Sequence, residues 1–584
     1  MRLKKHIYSV ILLFSLFFLV LKPINAFEIT DDPQYIVVNF SDTFHFLDWS
    51  ANEDRWLKEV RPKAVERLRN IKTLLTVGST PKRRLAWSTL LEYTNYPLDK
   101  ISDKSPYIIR VKRMMELAEK EDLPIFIPLN GIQWWDELPE LWNWWDFDGN
   151  QTPGCTNGNY AGCGFEKLRN PEYRKRFIAG YNPENKWNVD WQDWKTPMKF
   201  NVRNWGSGDI FVAPPPNIID HGRNLSVFAK LQKSRYEAIV KTIIPVINRW
   251  EKENKRHLFA GISIGTEVTL NASVKSGDDE FRPYGYRAIQ DIFCPKDNPV
   301  CGTEKHWTSD ELESMRQTII SRYFFNLVYP AWIEGIPKQR IYTHVWSEAE
   351  PGDIKYNNAI GSSVTLFSRP GLSLYGNATN PLGFKLLYDT LKINGFVNWA
   401  APEFAPLNRD AQNWHMALNN TLNNRLSSAK IIDVYNEADI LNTSAISEIK
   451  SFLTEKPLKD DCFVSETVPL SPNKINNPKT ISWKTLEKND GAIETAIILW
   501  PKNSFPVKID SRVQTIGLEK NSRSVSLPKL ERGFYFWAIK RLGCDGGKWT
   551  ISTPRLFYNF PAILSEDMPF WVKAIRNLFA KKWF

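Results

Sequence analysis

The sequence predicts an α/β fold class, a (β/α)8 TIM barrel followed by a small all-β sandwich, and three observations carry that prediction. Short apolar runs alternate with longer helical patterns over residues 27–458, the layout of a parallel sheet wrapped by helices. The alternation repeats eight times, the number that closes a barrel. From residue 459 the helical spacing stops and short alternating runs with turns between them take over, the pattern of stacked antiparallel sheets.

Residues 1–26 come first. A basic start (Arg2, Lys4, Lys5), an apolar run from Ile7 to Leu21 and a small residue at Ala26 form the three parts of a cleavable signal peptide. An uncleaved anchor is the alternative, but a run of about 15 residues falls short of the ~20 that span a bilayer. The mature chain is therefore expected to be secreted or periplasmic. Arg2, Lys4, Lys5 and Lys22 leave with the signal, so the formal charge of +11 becomes +7. That excess is dispersed, and no dense Lys/Arg tract marks a nucleic-acid partner.

The predicted barrel strands are Tyr35 to Phe40, Thr73 to Val77, Pro124 to Leu129, Phe259 to Thr266, Arg340 to Val345, Ser363 to Phe367, Gly395 to Ala400 and Lys430 to Val434. Between them, Asp54 to Ile71, Ser102 to Lys120, Lys230 to Glu253, Asp310 to Glu334, Pro381 to Ile393 and Asp410 to Asn420 carry apolar residues at helical spacing. An open doubly wound sheet is the structural alternative. The third strand is followed by a long insertion, at about 133–229, containing nine tryptophans, among them Trp134 and Trp135. The whole chain has 24 Trp, more than a core of this size needs, and indole faces stack on sugar rings. Long loops in compact domains are usually functional, and a loop after a barrel strand lies on the active face. The insertion therefore reads as the wall of a sugar-binding cleft, or else as a self-packed decoration. Asp146-x-Asp148-Gly-Asn150 lacks the Gly and distal Glu of a calcium loop, so no metal is assigned.

Six cysteines fall into neighbours, Cys155 with Cys163, Cys294 with Cys301 and Cys462 with Cys544. Outside the cytosol they are expected to form disulfides, although six cysteines allow 15 pairings. Residues 459–560 are the predicted sandwich. Ile481-Ser482-Trp483 near one end and Leu530-x-x-Gly533-x-Tyr535-Phe536 near the other resemble a fibronectin type III module, whose corner tyrosine would fall at Phe536. The tail, 561–584, sets Trp571, Ile575, Leu578, Phe579 and Trp583 against Lys573, Arg576, Lys581 and Lys582. Such a cationic amphipathic helix docks on its own protein or makes peripheral contact with a membrane.

Glycosidic bonds are most commonly broken by two carboxyl groups that flank the bond. Two apolar strand-like runs end on a carboxylate: Phe259 to Glu267 and Gly395 to Glu403. The active face of a barrel collects its catalytic groups at such ends. On these two strand ends the sequence resembles the clan A glycoside hydrolases, especially β-galactosidase-like members. The resemblance implies Glu267 on strand 4 as acid/base, Glu403 on strand 7 as nucleophile, and retention of configuration with carboxyls roughly 5 Å apart. Before the acid/base the clan has Asn, where this chain has Thr266.

Further expected substrate contacts are Tyr286 after strand 4, His344 and Trp346 at the end of strand 5, and Tyr375 after strand 6. Trp399 serves either as a stacking floor or as core. Arg83 or Arg84 would follow strand 2. Glu437, in Tyr435-Asn-Glu437, competes for a catalytic role but would sit on strand 8. No Gly-x-Ser-x-Gly elbow, phosphate-binding glycine loop or HExxH motif is present, and no cofactor is expected. The expected function is an exported retaining hydrolase of β-linked oligosaccharides or polysaccharides. A non-catalytic carbohydrate-binding or cell-envelope protein on the same barrel is the alternative.

Overall fold

A computed structural model describes residues 33–41, 52–76, 82–93, 101–130, 227–268, 309–345, 360–375 and most of 398–455 and 467–559. The chain divides into two units, at Asp461 and Cys462.

The first unit is a parallel ring. Its strands are β1 (Gln34–Asn39), β2 (Arg83–Ser88), β3 (Ile125–Asn130), β4 (Phe259–Val268), β5 (Ile341–Val345), β6 (the irregular segment 369–374), β7 (Trp399–Phe404) and β8 (Ala429–Val434). The hydrogen-bonded order runs β5, β4, β3, β2, β1, β8, β7. The gap left between β5 and β7 is spanned by β6 through isolated parallel bridges, Tyr342 to Arg369 and Val345 to Leu372 on one side, Gly371 to Ala400 and Leu374 to Phe404 on the other. A nearly closed (β/α) barrel results.

Inside the ring, Tyr35, Val37, Ala86, Phe126, Ala260, Tyr342, Ala400 and Ile431 form one buried cluster. Alternate residues of a strand face the same side, so the residues two further along β1, β2 and β8, namely Asn39, Ser88 and Asp433, also point inward. The interior thus changes from apolar at mid-height to polar at the C-terminal end of the strands.

The helices that wrap the ring include α1 (Arg61–Leu75), α2 (Pro106–Glu121), α3 (Val227–Lys252) and α4 (Ser309–Glu334), then α5 (Ala411–Leu422), α6 (Glu437–Leu441) and α7 (Ala445–Thr454). In α1 the buried Ala64, Leu68, Ile71 and Leu75 recur at helical spacing. That stripe explains why Thr73 to Leu75, within the expected second strand Thr73 to Val77, are instead the end of a helix. The true β2 opens on two arginines, which hide it as a strand. In α2 the chain enters at Ser105 with Pro106 in the first turn, where a missing N–H costs nothing; the helix therefore begins later than Ser102.

Two other strands shift. β6 lies beyond the expected Ser363 to Phe367, because Pro370 has no N–H and the segment pairs only by single bridges. Its fit is tight: a Cβ on Gly371 would lie 1.8 Å from the Thr343 carbonyl oxygen. β7 runs about four residues later than expected, since a register irregularity between Ala401 and Phe404 carries Pro402 within the strand.

The second unit contains two antiparallel sheets. One holds β9 (Thr467–Ser471), β10 (Thr480–Thr485) and β13 (Ser524–Ser526). The other holds β11 (Ala492–Pro501), β12 (Gln514–Leu518), β14 (Gly533–Gly543), β15 (Lys548–Ile551) and β16 (Arg555–Asn559). Ile481 and Trp483 of the first sheet share one buried cluster with Ile497, Leu499, Tyr535, Trp537, Ile539 and Phe557 of the second. The tail 561–584 and all six cysteines lie outside the described residues.

Candidate active site

Of the groups the sequence singles out, His344, Tyr375 and Glu403 lie at the C-terminal ends of β5 to β7. Glu403 is the fifth residue of β7 and is only 7% exposed. Its backbone is clamped by β6: Leu374 N donates to Glu403 O at 2.8 Å and Ala405 N to Leu374 O at 2.9 Å. Immediately after β6, the Tyr375 hydroxyl donates to Glu403 Oε2. The hydroxyl is thus a direct polar partner of this buried carboxyl group. Tyr375, expected from the sequence at this face either as a substrate contact or as a tyrosine beside Glu403, lies beside Glu403.

Glu267 lies near the end of β4, three places round the ring from β7. The backbone bends just before it. Gly265 has φ +81, and a Cβ there would meet the Val268 side chain at 2.5 Å. Pairing of β4 with β5 is likewise irregular between Ile264 and Val268. The segment carrying Thr266 and Glu267 thus leaves the plain strand at the active end of the barrel; the side chains of both residues lie outside the described residues.

His344 of β5 is 1% exposed, and its Nε2 lies 2.9 Å from Ser373 Oγ on β6. Burial pushes its pKa down to about 3, against a smaller opposing effect of the Gly265 backbone. The imidazole is therefore neutral across ordinary pH and serves as a hydrogen-bonding group, not a cation. Trp399 opens β7 and is fully buried, four residues to the N-terminal side of Glu403. Its place is core, not a stacking floor. Trp134, Trp135, Tyr286 and Trp346 lie outside the described residues.

Glu437 and the arginines take structural positions. Glu437 starts α6, is 4% exposed and pairs with Arg67 of α1 at 3.1 Å. Asn436 before it has φ 78 and accepts from the backbone N–H groups of Ala438 and Asp439, while Asp439 pairs with Arg409 at 2.7 Å. Arg83 opens β2 instead of following a strand, so it belongs to the opposite end of the barrel. There it bonds Gln34 Oε1 at 2.9 Å and the Phe452 carbonyl at 3.1 Å.

Asn39, Ser88 and Asp433, which the motifs did not point to, form a hydrogen-bonded floor at the active end. The usable signal was Asp433 itself, a carboxylate inside the apolar run Lys430 to Tyr435. Among the described residues no group of three or more His, Cys, Asp or Glu is placed to hold a metal ion.

No family model and no curated protein matches the sequence. Among solved structures, the chain is similar to a Cellulomonas fimi endo-beta-1,4-mannanase double mutant at 8% identity and TM-score 0.31, over 90% of this chain and 94% of that one. It is also similar to a GH5-4 broad specificity endoglucanase from an uncultured bacterium at 9% identity and TM-score 0.35, over 73% and 95%. A third similarity is to endo-glycoceramidase II from Rhodococcus sp., at 8% identity and TM-score 0.34, over 84% and 96%.

Proposed function

We propose that this chain is an exported retaining glycoside hydrolase acting on β-linked oligosaccharides or polysaccharides, with Glu403 as nucleophile and Glu267 as acid/base. The observation that carries the proposal is the Tyr375 hydroxyl donating to the Glu403 carboxylate at the C-terminal end of β7, where barrel enzymes keep their chemistry. A nucleophile must be ionised to attack the anomeric carbon, and a donated hydrogen bond serves that need. Glu267 would protonate the leaving oxygen, then deprotonate the water that releases the glycosyl group from Glu403. His344, neutral and buried, suits a role in positioning hydroxyls. The Trp-rich insertion supplies stacking faces, and Thr266 donates where the clan has Asn.

The accessory features follow the same reading. Residues 1–26 address the chain for export, the cysteines close three disulfides, and the tail is a docking or membrane-surface helix. The second unit reads as a fibronectin type III-like sandwich. In support, Tyr535 donates its hydroxyl to the Glu531 carbonyl at 3.2 Å, the bond of a tyrosine corner; the corner residue is then Tyr535 and not Phe536.

The deciding experiment is turnover of aryl β-glycosides and β-linked polysaccharides by the wild type and by Glu403→Gly, with and without added azide. Activity lost in the variant and returned by azide as a glycosyl azide product supports the nucleophile assignment. Binding of glycans that is equal in both proteins, with no turnover in either, would establish the non-catalytic alternative.

A further inference from the structure

One buried carboxyl group at the active end of the barrel has no part in the chemistry above. Asp433 is fully buried and shares the inward parity of Ile431 in the interior cluster. Ser88 Oγ lies 2.8 and 3.0 Å from its two oxygens, and Asn39 Nδ2 lies 3.4 Å from Oδ2. Asn39 is itself fixed, since its Oδ1 accepts from the Ser41 N–H at 2.8 Å and from the Ser41 hydroxyl. Ser41 Oγ then accepts from Leu90 N at 2.9 Å. A single hydrogen-bonded set with the carboxyl at its centre therefore ties β1, β2 and β8 together.

The position of Asp433 relative to Glu403 follows from the strand register. Ala401 pairs with Ile432 and Phe404 with Val434, so Pro402 and Glu403 together oppose Asp433 on the adjacent strand. Neighbouring strands run about 4.8 Å apart. Ionised carboxylates on neighbouring strands, where they share a face, repel and favour protonation of one of them. The titratable groups on the elements adjoining β8 are Glu403 on β7, Tyr35 low on β1, His415 on α5, Glu437 and Asp439 on α6, and Lys430 and Tyr435 on its own chain, with Arg83 and Arg84 on β2, Tyr375 after β6, and Tyr342 and His344 on β5 further round the ring. Among the described residues no Lys or Arg makes an ion pair with Asp433, and His344 is neutral. Burial pushes the Asp433 carboxyl well above the usual carboxylate range, with the bonds from Ser88 and Asn39 opposing only in part. The near-equal contacts of one serine oxygen to both carboxyl oxygens fit a reciprocal pair, in which Ser88 donates to one oxygen and accepts the acid proton from the other.

We propose that Asp433 is a positioning residue for Glu403: a carboxyl group kept in its neutral acid form that, with Ser88 and Asn39, pins β1, β2 and β8 beneath the nucleophile without setting a second negative charge beside it. The catalytic part rests on the glycoside hydrolase reading; the protonation state does not.

The test uses the full chain in three measurements. Infrared difference spectra at neutral pH should show a protonated-carboxyl stretch in the wild type that Asp433→Asn removes. In thermal unfolding, a folded-state pKa above the unfolded one withdraws stability as pH rises from about 4, so the Tm of Asp433→Asn relative to wild type should climb with pH. In kinetics, Asp433→Ala or Ser88→Ala should lower kcat about tenfold or more with KM little changed, and Asp433→Asn should restore most of the loss with the acid limb of the pH profile in place. A missing carboxyl band, a Tm difference that falls with pH, or an acid limb displaced by about a unit or more in Asp433→Asn overturns the proposal. If Asp433→Ala fails to fold, Ser88→Ala carries the kinetic arm. If the wild type turns over no glycoside, the hydrolase reading fails, and the infrared and unfolding arms still decide the state of Asp433.

Discussion

The two ends of the barrel treat buried charge in opposite ways. At the N-terminal end buried arginines are each held by several groups. Arg83, fully buried, finds Gln34, Phe452 and Glu455, and Arg340 donates to the Ala260 carbonyl and the Tyr35 hydroxyl with its guanidinium over the Tyr35 ring. At the C-terminal end Asp433 meets only neutral donors among the described residues, and the Tyr375 hydroxyl donates to Glu403. Asp433, left with neutral donors inside the ring, contrasts with arginines that are each held by several acceptors, and the contrast makes its protonation state the property to test.

The sharpest break is Glu403→Gln, which should lower kcat by about 10^6-fold, the scale on which removing a nucleophile acts, with little change in the unfolding midpoint; stopped turnover assays and calorimetry check both. Removing Arg83 is the mirror image. Arg83→Met should cost about 2–4 kcal/mol by stranding buried acceptors while kcat per folded molecule holds, as denaturant titration alongside active-site counting will show. Tyr375→Phe removes a charge-assisted bond worth about 1.5–3 kcal/mol, so kcat/KM should fall about ten- to hundredfold and the acid limb of its pH profile should move upward. An unchanged limb would separate Tyr375 from the ionisation of Glu403. The smallest effect belongs to the rim of the N-terminal end. Arg249 and Lys255 hold Glu119 down to about 2. A depressed carboxylate stabilises above its unfolded pKa and loses that contribution as pH falls toward 2, so Glu119→Gln should cost under about 1 kcal/mol near neutrality and nothing in strong acid, measured by urea unfolding at the two pH values.

The barrel was legible in the sequence wherever strands were uniformly apolar, as in Tyr35 to Phe40 and Pro124 to Leu129. It was hidden where tertiary structure overrides local pattern. Arg83 and Arg84 open β2 because a buried network at the far end accepts the first of them. Pro370 and Pro402 sit in β6 and β7 because single bridges and a bulge spare their missing N–H groups. Of the expected site, Glu403 and Tyr375 were legible as strand-end groups, and the structure joins them by a hydrogen bond; the Glu267 side chain lies outside the described residues. Asn39 and Ser88 left no such mark: short polar residues at strand ends are common, and only the closing of the ring from β2 through β1 to β8 gives them a shared carboxyl to hold.

The narrowness at Gly371 gives the ring a single point of adjustment. Its α-carbon rests against the Thr343 carbonyl with no room for even a methyl group, and four residues later the same chain delivers Tyr375 to Glu403. The alphabet open to position 371 is therefore reduced to one letter, on the same stretch of chain that carries the tyrosine to the carboxyl group.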